Sequence, residues 1–141
     1  MSYGWSVAVA TLFVWLGMVL AISFLEAPLK FRAPGVTLQV GLGIGRLVFR
    51  ALNACELVFA IVIVGSLVWQ RPPVGAAVGA AGAVLALVAQ LLLVRPALTR
   101  RSDAVLAGAD QPRSRGHYAY IGLELIKAVS LLVTGILLLA A

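Results

Sequence analysis

Four long apolar runs cover most of this 141-residue chain. Each run has about the 20 residues that an α-helix needs to cross the hydrocarbon core of a bilayer. The composition points the same way, because only 11% of the residues are charged, whereas soluble domains have about 25%. The sequence therefore predicts an all-α integral membrane protein, a single domain over residues 1–141 that folds as a bundle of four transmembrane helices.

Prolines and arginines predict where these helices begin and end. The first run lacks the basic start and the cleavage site of a signal peptide, so we expect a retained span that ends before Pro28. The glycine-rich segment 36–46 is expected to be interfacial or re-entrant, because including it would make the second helix about 45 Å long against a core of about 30 Å. Arg95-Pro96 is expected to end the third helix. The predicted helices span about residues 5–25, 45–69, 74–94 and 117–139.

The basic residues predict how the bundle is oriented. Most of them lie in or beside the first and third loops: Lys30, Arg32, Arg46, Arg95, Arg100, Arg101, Arg113 and Arg115. The second loop has only Arg71, and the termini have no lysine or arginine. The positive-inside rule places the two basic loops in the cytoplasm and both termini outside it. The expected partner is therefore a lipid bilayer, the inner membrane if the source is a bacterium, and not nucleic acid.

The third helix begins with a stretch of small residues, GAAVGAAGA (75–83). Small residues four apart let helix backbones approach closely in lipid. Gly75, Gly79 and Ala83, here called the small-residue face, are therefore predicted to contact another helix. That helix can belong to the same bundle or to a second copy, in which case the chain forms a homo-oligomer.

Ionisable residues inside the apolar runs are the main functional signal. A charged side chain at the centre of a bilayer costs roughly 2.5–3.5 kcal/mol even on a lenient scale, yet the second run contains Glu56 and the fourth contains Glu124 and Lys127. Helical spacing places Arg46, Asn53 and Glu56 on one face of the second helix, and His117, Tyr120, Glu124 and Lys127 on one face of the fourth. Glu56 and Lys127 both lie about 15 Å deep, so they are predicted to face each other.

These residues support two interpretations. In the first, they line a polar pocket that opens to the cytoplasm, with Glu26, Lys30 and Arg95 around its opening. The candidate ligand-binding residues are Arg46, Asn53, Glu56, Arg95, His117, Tyr120, Glu124 and Lys127. The cations Arg46, Arg95 and Lys127 near the opening favour a small molecule or lipophile with an anionic group, which the protein would bind or help to move.

In the second interpretation the charges pair with one another and only fix how the helices pack. The chain would then be a structural or accessory subunit of a membrane complex. Whether it is an enzyme stays open, because the common hydrolase, zinc-protease and phosphate-loop motifs are absent from the sequence. One cysteine and one histidine exclude a Cys₂His₂ zinc site, and no metal ligand or catalytic residue is assigned.

Parts of the sequence resemble two known families. The first resemblance rests on Glu26-Ala27-Pro28-Leu29-Lys30-Phe31, Gly45-Arg46-Leu47-Val48-Phe49 and His117. It is a resemblance to uncharacterised four-helix membrane proteins related to transmembrane protein 205. That resemblance implies the four-helix layout but no established activity.

The stretch Asn53-Ala54-Cys55-Glu56, preceded by Arg50-Ala51, resembles the Asn-x-x-Glu of the second helix in the MAPEG family of membrane glutathione transferases. This resemblance implies an alternative function, a glutathione transferase in which these polar residues hold glutathione and an arginine steadies its thiolate. It also implies a trimer with the active site on the cytosolic side.

Overall fold

The computed structural model of the chain describes residues 2–108 and 115–141, and of residues 115–117 it describes the backbone only. This part of the chain is helical, with short turns and no strand. Four helices are long and apolar enough to span a membrane. They are α1 (Tyr3–Lys30), α2 (Leu38–Val68), α3 (Val74–Leu106) and α4 (Arg115–Ala140). The predicted all-α architecture with four candidate membrane spans is confirmed.

All four helices contribute side chains to the core of the bundle. The most extensive contact is between α3 and α4, and α1 packs against both α2 and α4. Fully buried apolar side chains fill the centre: Leu12, Trp15, Ile63, Leu87, Leu131 and Leu138. The outward faces carry many exposed leucine, isoleucine and valine side chains, as expected for helices that lipid surrounds.

The small-residue face of α3 packs against α4 of the same chain. A Cβ atom built on Gly75 would lie 3.0 Å from Leu137 Cδ1, and one built on Gly79 would collide with Thr134 Oγ1. Ala83 is completely buried. The prediction that these residues contact another helix is therefore confirmed, and the neighbour is within the bundle.

Pro28 and Pro96 do not end their helices, contrary to the prediction. Each follows a widened, π-helical segment, which spans Leu20–Glu26 in α1 and Gln90–Val94 in α3. In α1 the backbone N–H of Ala27 donates to the carbonyl of Ile22, five residues back. The wider turn shifts the carbonyl that the proline ring would otherwise strike, so the helix can continue. As a result α1 ends at Lys30 and α3 at Leu106.

The segment 36–46 is also different from the prediction, because most of it forms the start of α2. Thr37 caps this helix, and its hydroxyl accepts a hydrogen bond from the backbone N–H of Val40 at 3.2 Å. The ring of Phe31 occupies the space where Gly41 lacks a side chain. The cap and this close contact stabilise a continuous 31-residue helix, which is longer than a perpendicular crossing needs.

Candidate functional site

A cluster of polar side chains is buried where α1, α2, α3 and α4 meet. Its ionisable members are Glu56, Glu124 and Lys127, each at most 1% exposed. The Lys127 ammonium lies between the two carboxylates, paired with Glu56 Oε2 and at 2.5 Å from Glu124 Oε1. The predicted contact between Glu56 and Lys127 is therefore present. We call these three residues, with Gln90, Ser23 and Trp15, the buried cluster.

Glu124 receives hydrogen bonds from three helices. Ser23 Oγ on α1 donates to its Oε2 atom, and Gln90 Nε2 on α3 donates to its Oε1 atom at 2.7 Å. Lys127, one turn further along α4, is the third donor. The other end of the Gln90 amide accepts a hydrogen bond from Lys127 Nζ at 2.7 Å. Three donors that converge on one carboxylate stabilise its ionised form.

The two carboxylate oxygens of Glu56 differ in their hydrogen-bond partners. Its Oε2 atom accepts a hydrogen bond from Trp15 Nε1 at 2.8 Å and is paired with the Lys127 ammonium. Its Oε1 atom is buried without a donor among the described residues, and so is Oδ1 of Asn53. Asn53 precedes Glu56 by three residues on α2, so the two side chains are neighbours on one helical face.

A cavity of about 400 Å³ adjoins the buried cluster. It lies at the end of the bundle that carries the α1–α2 and α3–α4 connections, which we call the basic end. Of the described residues, four with cationic side chains line it: Lys30, Arg46, Arg95 and Arg101. Apolar lining comes mainly from Phe24, Phe31, Phe49, Leu98 and Ile121. Ser23 and Glu124 also line it, so the cavity reaches the buried cluster.

Aromatic rings hold two of these cations against the cavity wall. The Arg95 guanidinium lies 5.5 Å from the centre of the Phe49 ring and 5.1 Å from that of Tyr120, and it donates to the Tyr120 hydroxyl at 3.3 Å. Lys30 Nζ lies 5.7 Å from the centre of Phe49 on the same wall. Cation–π contacts orient a charge without neutralising it, so Arg95 and Lys30 remain able to attract an anion.

Acidic residues compensate part of this positive charge. Arg46 pairs with Asp103 at 2.7 Å, and Lys30 lies 3.8 Å from Glu26 in the adjacent turn of α1. Both pairs are partly exposed, where ion pairs are weak and salt screens them. The lining of the cavity therefore keeps an excess of positive charge.

The structure divides the predicted site residues into two groups. Arg46, Arg95, Tyr120 and Glu124 line the cavity, whereas Asn53, Glu56 and Lys127 lie deeper in the bundle. The side chain of His117 lies outside the described part of the chain. Lys127 was expected near the opening, but the two carboxylates that flank it hold it inside. Lys30 and Arg101 contribute the positive charge of the opening in its place.

Sequence reasoning missed Ser23 and Gln90, which link Glu124 to α1 and α3. The available signal was their polarity within apolar runs, and it is weak because serine and glutamine are uncharged. Arg50, a residue of the motif that resembles glutathione transferases, is exposed and, like Asn53 and Glu56, is not part of the cavity lining. Among the described residues, no group of three or more histidine, cysteine, aspartate or glutamate side chains could hold a metal ion.

Comparison with protein-family models, curated proteins and solved structures gives no match to this chain. The class that the fold and site define is a multi-pass membrane protein with four candidate spans, a buried charged cluster and a cation-lined cavity. Its function is therefore argued from the chemistry of that cavity and cluster.

Proposed function

We propose that this protein binds an amphipathic anion, a small lipophile with a carboxylate or phosphate head group, in the cavity at the basic end. In this proposal the protein resides in a plasma membrane, or the inner membrane of a bacterium, and helps to move the lipophile to or from the cytoplasm. The observation that carries the proposal is the combination of four cationic side chains with an apolar lining in one cavity.

The preference for an anion follows from the charges. The cavity lining includes Lys30, Arg46, Arg95 and Arg101. Among the described residues its one carboxylate, Glu124, is already paired with Lys127. Hydrogen bonds from arginine to an anionic oxygen are charge-assisted and are stronger than neutral ones. Arg95 contacts the neutral Tyr120 hydroxyl and two aromatic rings, so an anionic head group would give it a charged acceptor and a cationic or neutral one would not.

The preference for a lipophile follows from the other lining residues. Phe24, Phe31, Phe49, Leu98 and Ile121 offer an apolar wall that binds a hydrocarbon chain, because burying apolar surface is favourable by about 25 cal/mol per Å². The volume of about 400 Å³ is within the range of roughly 300–1,000 Å³ that is usual for small-molecule sites. Its position at the basic end supports access from the cytoplasm under the positive-inside rule.

The proposal is tested by photolabelling the protein in lipid nanodiscs with a medium-chain fatty acid that carries a diazirine on its chain. The matched primary amine and alcohol of the same chain serve as head-group controls. We expect saturable labelling by the carboxylate, mapped by mass spectrometry to the peptides around Phe31, Phe49 and Leu98. Equal labelling of those peptides by all three head groups would contradict the proposal.

Adjacent arginines on α3 offer a matched pair of variants. Arg101 lines the cavity, whereas Arg100 is exposed and hydrogen-bonds the Pro96 carbonyl. Arg101→Gln should weaken labelling by the carboxylate about tenfold or more, because a hydrogen bond to a charged group is worth about 1.5–3 kcal/mol. Arg100→Gln should leave labelling unchanged. If the two variants behave alike, the cavity is not the binding site.

A further inference from the structure

We infer that the buried cluster binds one exchangeable proton, which is seated on Glu56 Oε1 and hydrogen-bonded to Asn53. This inference concerns the cluster itself and does not depend on the amphipathic ligand.

The first argument is the charge of the cluster. Glu56 and Glu124 are two carboxylates, and Lys127 is the one cationic side chain among the described residues that is paired with them. The other contacts of these carboxylates are neutral: Trp15 and Ser23 from α1 and Gln90 from α3. The Arg95 guanidinium is held at the cavity wall by Tyr120 and Phe49. With both carboxylates ionised, the cluster would bury a net charge of −1, and an uncompensated buried charge is strongly unfavourable. One proton removes it.

The second argument locates that proton. Glu124 accepts three hydrogen bonds, from Ser23, Gln90 and Lys127, and these donors stabilise its ionised form. Within the described part of the chain, Glu56 Oε1 has no donor, and neither has Asn53 Oδ1, its neighbour one turn away on α2. Two residues three apart on one helical face thus each have a buried acceptor without a donor. A proton on Glu56 Oε1 turns that atom into a donor toward Asn53 Oδ1 and satisfies both groups.

The third argument is access. Glu124 and Ser23 line the cavity, and Lys127 connects Glu124 with Glu56 through direct contacts to both. A hydronium ion in the cavity can give its proton to Glu124 and leave as water; Lys127 then gives one of its protons to Glu56 Oε2, the atom it contacts, and takes the proton of Glu124 in return. Rotation of the Glu56 carboxyl group brings the new O–H bond to the position of Oε1, beside Asn53. Release runs along the same side chains in reverse. Each exchange changes the charge of the cluster between 0 and −1 beside a cavity that is lined by cations.

Infrared spectroscopy of protein labelled with ¹³C-glutamate tests this inference without any lipophile. The chain has only three glutamates, at positions 26, 56 and 124, so the carbonyl stretch of a protonated glutamic acid can be assigned by substitution. At neutral pH we expect one such band in the unmodified protein. Glu56→Gln should abolish the band, and Glu26→Gln, a change at the partly exposed end of α1, should leave it unchanged.

Asn53→Leu supplies a second readout that does not require the loss of a charge. Removing the acceptor of the proposed hydrogen bond should shift the carbonyl band to higher frequency while the band persists. Glu56→Gln should also unfold no more easily than the unmodified protein, because a neutral amide resembles the protonated acid and can donate to Asn53.

Three results would overturn the inference. One is the absence of any protonated-glutamate band at neutral pH. Another is a band that survives Glu56→Gln. The third is a band whose frequency is indifferent to Asn53→Leu. Because no lipophile is present, these outcomes are independent of the photolabelling result, so failure of the proton site and failure of the proposed anion binding can be told apart.

Discussion

At the scale of single residues, Gln90 joins the opposite charges of the buried cluster. Its carbonyl oxygen accepts from Lys127 and its amide nitrogen donates to Glu124, both at 2.7 Å. The side chain is completely buried, so water cannot replace either hydrogen bond. An amide has both an acceptor oxygen and a donor nitrogen, so it can serve an ammonium and a carboxylate at once.

Gln90→Leu should therefore destabilise the protein, because it removes a partner from Lys127 and another from Glu124. A buried group left without its hydrogen bond costs about 1–3 kcal/mol, and we expect a loss of free energy of unfolding in that range or above. Equilibrium unfolding in mixed detergent micelles measures it. Gln39→Leu is the control, since Gln39 is exposed and makes one long hydrogen bond of 3.5 Å. Equal stability of the two variants would contradict this role of Gln90.

At the scale of the helices, two proline-linked π-helical segments shape the site. Ser23 lies in the segment of α1 and Gln90 begins the segment of α3, and both side chains donate to Glu124. A π-helical turn rotates the residues before it relative to those after it. The two prolines therefore accompany the wider turns from which Ser23 and Gln90 reach Glu124, and they do not end the helices.

The same elements recur in the two halves of the chain. Pro28 and Pro96 are separated by the same interval as Glu56 and Glu124. Each half therefore supplies a helix with a π-helical segment before a proline, followed by a helix with a buried glutamate. The two glutamates, one from each half, both contact Lys127. Lys127 itself belongs to the second half, and the first half has no lysine at the corresponding position.

The packing of α3 on α4 leads to a prediction about Gly79. Thr134 donates to the Ser130 carbonyl at 2.6 Å and so keeps its hydroxyl in the space beside this glycine. Gly79→Leu should destabilise the bundle by about 1–3 kcal/mol through overpacking.

Gly17→Leu is the matched control, because a Cβ atom on Gly17 meets nothing within 4 Å. Both variants gain the same helix propensity, about 1 kcal/mol relative to glycine, so the difference between their thermal unfolding temperatures isolates the packing of α3 on α4. A Gly79→Leu variant as stable as Gly17→Leu would show that this contact is not close.

At the scale of the whole molecule, charge and cavity lie at the same end of the bundle. The cavity is lined by the last turns of α1, the first turns of α2 and α4, and the C-terminal part of α3. Most of the arginines and lysines lie in these parts of the helices or in the two connections that join them. One basic end therefore combines the expected cytoplasmic side with the proposed binding site.

The orientation is tested with reporter fusions. Because the termini lack lysine and arginine, the positive-inside rule predicts that they are outside the cytoplasm. Alkaline phosphatase fused after Ala141 should be active, and a fluorescent protein that folds only in the cytoplasm should be dark there. Insertions after Gly35, in the α1–α2 connection, should give the opposite pattern. A fluorescent C-terminal fusion would reverse the proposed sidedness and place the cavity on the other face of the membrane.

Predictions from the sequence succeeded where the signal is local. The four spans follow from runs of apolar residues, and the contact of the small-residue face with a neighbour follows from residue size. The facing of Glu56 and Lys127 follows from equal depth in two helices that start at the same end. Helix ends were predicted less well, because Pro28 and Pro96 end a helix only if no wider turn precedes them.

The sequence by itself determined the number and composition of the spans, because hydropathy and helix periodicity depend only on neighbouring residues. The tertiary structure alone decided that Lys127 contacts the carboxylates of both Glu56 and Glu124 at once and lies away from the opening, and that Ser23 and Gln90 join them. These contacts depend on how far each helix is rotated about its axis. That rotation is set by the simultaneous packing of all four helices and by the two π-helical turns, and no single run of the sequence encodes it.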